Sequence, residues 1–117
     1  MIINVPISVG ELFDKISILE IKKYKLKNKD NIRTVNYELR KLNMIVKNKK
    51  LSSMQIKKEF IKLKKINLRL WNIEDKKRKY EKLQKFDSKF IHLARNVYLL
   101  NDKRALIKLN INHLSGS

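Results

Sequence analysis

The sequence contains no cysteine, a single proline and only two glycines in 117 residues. Without a thiol there is no disulfide scaffold, no cysteine nucleophile and no Cys-ligated zinc. His92 and His113 are the only histidines and stand far apart, so no transition-metal spacing exists and no cofactor is expected. The breakers Pro6, Gly10 and Gly116 sit near the ends, which leaves the interior free to be helical almost throughout. No apolar run approaches the ~18 residues that span a bilayer. The start, MIINVPISVGELF, lacks the charged region and cleavage site of a secretory leader. The expectation is one cytoplasmic domain covering residues 1–117, neither anchored nor exported.

Acidic residues are also scarce. Eleven Asp and Glu face 29 Lys and Arg, a formal net charge of +18, while 43% hydrophobic content is too high for a disordered basic tail. Of the cations 23 are Lys and six are Arg; Ile and Asn are abundant and Ala is down to two, the bias that A/T-rich codons produce. Such a field attracts nucleic acid, anionic lipid or an acidic partner. Specific phosphate or base reading leans on the planar fork of Arg, however, and here Lys dominates. Nucleic-acid binding is therefore a possible reading and not the favoured one. There is no phosphate-cradling glycine loop, nucleophile elbow or aromatic RNA-binding sheet motif.

Caps and periodicity divide the chain. Ile2, Ile3, Val5 and Ile7 form an extended lead-in over residues 1–8, broken by Pro6. Ser8 with Glu11 reads as a capping box opening a helix over about 9–28, with Leu12, Ile16, Leu19 and Leu26 on one stripe. Ile18 and Ile21 lie on a second flank, so this helix is either sandwiched between neighbours or shared with another subunit in a homodimer. Asp30 or Asn31 is expected to cap a helix over 31–48 with the stripe Ile32, Val35, Leu39, Leu42 and Val46. Ser52 with Gln55 reads as a second capping box, opening a helix over 53–85 of about 50 Å. Asp87 or Ser88 caps the last helix, 88–114, whose seam is Phe90, Leu93, Val97, Leu100, Arg104, Ile107, Ile111 and Leu114. The pattern predicts an all-α antiparallel helical bundle built on a long helix hairpin.

Polar residues run beside these seams. Asn67, Trp71, Glu74 and Arg78 share one line on the third helix, with Glu74 and Arg78 at i,i+4 spacing. Ala94, Asn101, Ala105, Lys108 and Asn112 flank the fourth, and Arg104 interrupts its seam. Such a set fixes helix register as a closed polar network, converges on an anionic ligand with Trp71 as an apolar wall, or is simply exposed to solvent. A general base for an enzyme would come from Glu74, Asp75 or Glu20, but nothing in the spacing demands one. Glu11, Asp14 and Glu20 supply acidic side chains of the kind magnesium takes, in a spacing common on ordinary helices.

The strings VPISVGELFDKISILEIK, LWNIED and FDSKFIHLARNVYLLNDKRALIKLNIN resemble a bacterial family of small proteins catalogued only as a domain of unknown function. The resemblance covers both ends and the middle and leaves about 24–67 unmatched. It implies no activity, substrate or cofactor. It marks Lys15, Glu20, Trp71, Glu74, Arg95, Asn101, Asp102, Arg104 and Lys108, together with Asp14, Lys22, Asp75, Tyr98 and Asn112. Members of the family continue past the equivalent of Gly116-Ser117 with an acidic and aromatic tail, which leaves any tail-dependent role in doubt for this chain. The resulting expectation is a binding protein that holds an anionic small molecule or a protein partner between the third and fourth helices. The candidate ligand residues are Trp71, Glu74, Arg78, Arg95, Asn101, Asp102, Arg104, Lys108, Lys15 and Glu20.

Overall fold

A computed structural model describes all residues 1–117 as four helices with no strand: α1 Val9–Lys25, α2 Lys29–Asn48, α3 Met54–Lys82 and α4 Ser88–Ser115. Residues 1–8 are non-helical and largely exposed. The all-α hairpin bundle expected from periodicity is the fold.

The helix starts follow the local chemistry of orphan amides. Ser8 Oγ accepts from the Glu11 amide, but Glu11 does not complete the box and turns to Lys108 instead. Asn28, not Asp30 or Asn31, caps α2 by accepting from both of their amides. Ser53, one residue past the expected Ser52, caps α3 through the Ile56 amide. Asp87 caps α4 as read. At the other ends, α2 and α3 close with left-handed residues, Lys50 (φ 55) and Gln84 (φ 56), which let the Leu51 and Lys85 amides bond back to Val46 and Tyr80. The reversal at Gln84 folds α4 back along α3.

The predicted stripes point inward apart from Leu114, which is exposed at the end of α4. Leu63 and Ile111 are fully buried, and Leu12, Phe13, Ile16, Leu19, Val35, Leu39 and Ile56 join them in one cluster. Phe13 and Phe60 pack with ring centroids 5.7 Å apart. α1 is the centre of the arrangement: it alone packs on every other helix, while α2 packs closely on α1 only. This accounts for the second apolar flank of α1. Ile21 is buried and Ile18 half-buried, so the flank serves packing within the chain.

The molecule is elongated, 48 × 34 × 25 Å, with a radius of gyration of 16.2 Å. A compact chain of this length would have about 13 Å. Only 16 of 117 residues are buried, so much apolar surface stays outside.

Gly10 marks a close crossing of α1 and α4. Its amide donates to Asn112 Oδ1 at 2.7 Å, and a Cβ at this position would collide with the Lys108 carbonyl. Elsewhere in a helix, Gly to Ala is stabilising by up to about 1 kcal/mol. Here overpacking costs about 1–3 kcal/mol. Gly10→Ala should therefore lower Tm by several degrees in a thermal melt; a rise would contradict the close crossing.

Candidate functional site

The polar residues beside the seams do not form one site. Part of them close around Asp14, a carboxylate on α1 with only 3% of its surface exposed. Arg104 from the α4 seam donates to it through two nitrogens, Nε to Oδ1 at 2.9 Å and Nη2 to Oδ2 at 2.5 Å. Asn67 of α3 donates through Nδ2 to Asp14 Oδ1 at 2.9 Å and to Ser17 Oγ at 2.7 Å. Ser17, fully buried, donates in turn to the Asp14 carbonyl. Lys108 stands 3.9 Å from Asp14 and pairs with Glu11 at 2.5 Å. Asn101 Oδ1 accepts from Arg104 at 3.3 Å. Three helices are thus tied through one carboxylate.

The electrostatics follow from that geometry. Burial by itself would push the Asp14 carboxyl up. Hydrogen bonds from Arg104 and Asn67, with the charges of Arg104 and Lys108, outweigh it and hold the group below its ordinary 3.8. Arg104 is held more firmly protonated, first by its hydrogen bond to Asp14. Arg104 and Lys108 are both engaged with acids of α1. The side chains of this cluster tie α1, α3 and α4 together.

The remaining sequence-predicted residues scatter. Glu74 and Arg78 do not pair with each other. Glu74 lies 3.5 Å from Lys77, and Arg78 binds Asp75 at 2.6 Å, both as surface pairs on one turn of α3. Trp71 is half-buried on the same helix. Arg95 and Asp102 are exposed on α4 and have no ion-pair or hydrogen-bond partner through their side chains. Glu20 pairs with Lys64 at 3.1 Å in a groove between α1 and α2, beside Lys23, Arg33 and Arg40. Lys15 is exposed on a second groove between the same two helices, near Tyr37 and Glu38. Glu11 and Asp14 spend their charge on cations of α4, and no group of three metal-ligating side chains is found in the chain.

A different part of the α3 and α4 surface has the unspent charge. At the hairpin turn an open cleft of about 830 Å³ is lined by Lys76, Lys79, Lys85, Lys89 and His92, with Tyr80 as an aromatic wall. None of those lysines takes part in an ion pair, and no carboxylate lines the cleft. Of the acids adjacent in sequence to the lining residues, Asp75 pairs with Arg78 and Asp87 caps α4, accepting from the Lys89 and Phe90 amides, while Glu81, next to Tyr80, is exposed and makes no ion pair. The cleft walls are braced by edge-on aromatic contacts of Phe90 with Tyr80 (6.4 Å) and Phe86 (5.2 Å).

Comparison of the chain with protein-family models, with curated proteins and with solved structures yields no match. The family resemblance therefore rests on its sequence strings alone.

The Asp14 knot has a pH signature. A carboxyl whose folded pKa lies below its unfolded value stabilises the fold above the unfolded pKa, and that contribution is lost as pH falls through the folded one. Asp14→Asn leaves Arg104 without its counter-charge and should cost about 2–3 kcal/mol at neutral pH in urea unfolding. The gap between parent and variant should shrink as pH drops below about 4. A gap that is negligible at neutral pH, or constant with acidification, would show that the knot does not hold a stabilised carboxylate.

Proposed function

We propose that this chain is a binding protein for an anionic small molecule bearing several negative oxygens, such as a polyphosphate or a polycarboxylate, held in the lysine-lined cleft at the α3 and α4 turn. The observation that carries this reading is the imbalance of charge there: four lysines and His92 face one cleft that contains no acid. Four like charges on the end of α3, the connection after it and the start of α4 repel one another, and a polyanion placed among them relieves that repulsion while gaining charge-assisted hydrogen bonds. Tyr80 and Leu83 supply apolar surface for the body of the ligand. The proposal is one of binding and assigns no catalytic step to the cleft.

The sequence expectation of an anion site between the third and fourth helices is kept, but its residues change. Arg104 and Lys108 hold the fold, and Arg78 holds a local pair. The proposed ligand residues are Lys76, Lys79, Lys85, Lys89 and His92.

Titration with inorganic triphosphate by calorimetry tests the reading. Lys79→Gln and Lys89→Gln should each weaken binding about tenfold, near 1.4 kcal/mol, whereas Lys57→Gln and Lys58→Gln at the far end of α3 should leave it unchanged. Equal losses from all four would replace the cleft with non-specific attraction by the +18 field, the mode in which this chain would bind nucleic acid. No heat and no thermal stabilisation with triphosphate would overturn the proposal.

A further inference from the structure

The outer face of α4 is out of character with the rest of the surface. Ile91, Arg95, Tyr98, Asp102, Leu106 and Leu109 recur every three or four residues, with Leu99 beside them, on a sector about 100° wide. That sector is opposite the inward seam of Leu93, Val97, Leu100, Ile107 and Ile111. Its apolar members are exposed: Ile91 57%, Tyr98 70%, Leu99 53%, Leu106 62% and Leu109 49%. In a chain with 23 lysines the sector holds none. Its two charges, Arg95 and Asp102, are opposite in sign and unpartnered within the chain.

We infer that α4 pairs antiparallel with α4 of a second copy of this chain. The stripe is self-complementary under a two-fold axis passing between Tyr98 and Leu99. In that register Tyr98 meets the partner's Leu99, Ile91 meets the partner's Leu106, and Arg95 meets the partner's Asp102. Both copies then satisfy both charges, while the apolar residues above and below exclude water. The occupant is a second copy because no other arrangement of the stripe pairs its own cation with its own anion and its own apolar ends with each other.

The surface area supports this. A monomer of 14.0 kDa ordinarily exposes about 6,700 Å², and this chain exposes 8987 Å². The excess is more than the roughly 800 Å² per partner that a stable interface of standard size covers. The stripe runs for about 27 Å of helix, enough for such a contact. Opposing it is the repulsion between two bodies of +18 each, so added salt should strengthen the dimer by screening that repulsion.

Sedimentation of the full chain tests the pairing. At tens of micromolar and about 0.3 M salt it should run at twice 14.0 kDa and shift toward monomer at low salt. Arg95→Asp alone and Asp102→Arg alone should each give monomer with unchanged circular dichroism, and the two combined should restore the dimer, since the swapped charges pair again across the axis. Orientation is read by disulfide formation, clean in a chain without cysteine: Ile91→Cys with Leu106→Cys should crosslink two copies, and Ile91→Cys alone should not. A parent that stays monomeric under these conditions would overturn the inference, as would a dimer indifferent to both charge reversals.

Discussion

A single buried carboxylate sets the constraint on which the bundle depends. Asp14 sits almost without solvent on the one helix that touches all the others, and a charge in that position is tolerated only when it is paired and hydrogen-bonded. The pairing fixes how α4 lies on α1, because Arg104 must reach both carboxylate oxygens, and how α3 lies on α1, because Asn67 must reach Asp14 and Ser17 together. Apolar stripes alone would permit α4 to slide by a turn along α1. With Asp14 and Arg104 in place, and with Gly10 admitting the Lys108 carbonyl one turn away, the register is one that satisfies the Asp14, Ser17 and Asn67 side chains together.

The same constraint sorts the charge. Arg104 and Lys108 are committed to α1, and Lys62, Lys64, Lys77 and Arg78 to acids nearby. What remains free is uneven. Lysines collect without an acid at the hairpin turn, while the outer face of α4 keeps one cation, one anion and a row of apolar side chains. The formal +18 therefore describes the molecule poorly as a uniform field. A ligand site and a contact between copies are proposed at opposite extremes of this distribution, the first where charge is unbalanced and the second where it balances.

Periodicity made most of the fold legible. The stripes from Val35 to Val46 and from Phe90 to Ile111 face inward, and the polar Arg104 keeps its phase in the α4 seam. Caps were legible only to within a few residues, because Asn28, Asp30 and Asn31, or Ser52 and Ser53, all offer an oxygen and only backbone geometry selects among them. Asp14 was overlooked as an organising residue because its neighbour Glu11 suggested a surface turn. Yet α1 buries Leu12, Phe13, Ile16, Ser17 and Leu19 around it, and a helix apolar on so many sides leaves an Asp no exit to water. That Asp and the lone Arg in a seam were each visible, and each implied the other. The basic cleft was not legible, since it joins Lys76 and Lys79 to Lys89 and His92 across a turn whose direction depends on Gln84 adopting a left-handed conformation.

A double-mutant cycle across the α1 and α4 contact tests the central claim most directly. Unfolding free energies are needed for the parent, Asp14→Leu, Arg104→Met and the double variant. If the pair acts as a unit, each single change strands a buried charge while the double change strands none, so the double variant should be less destabilised than the sum of the singles by about 2 kcal/mol or more. Additivity within about 0.5 kcal/mol would mean that Asp14 and Arg104 contribute independently, and the bundle would then owe its register to apolar packing alone.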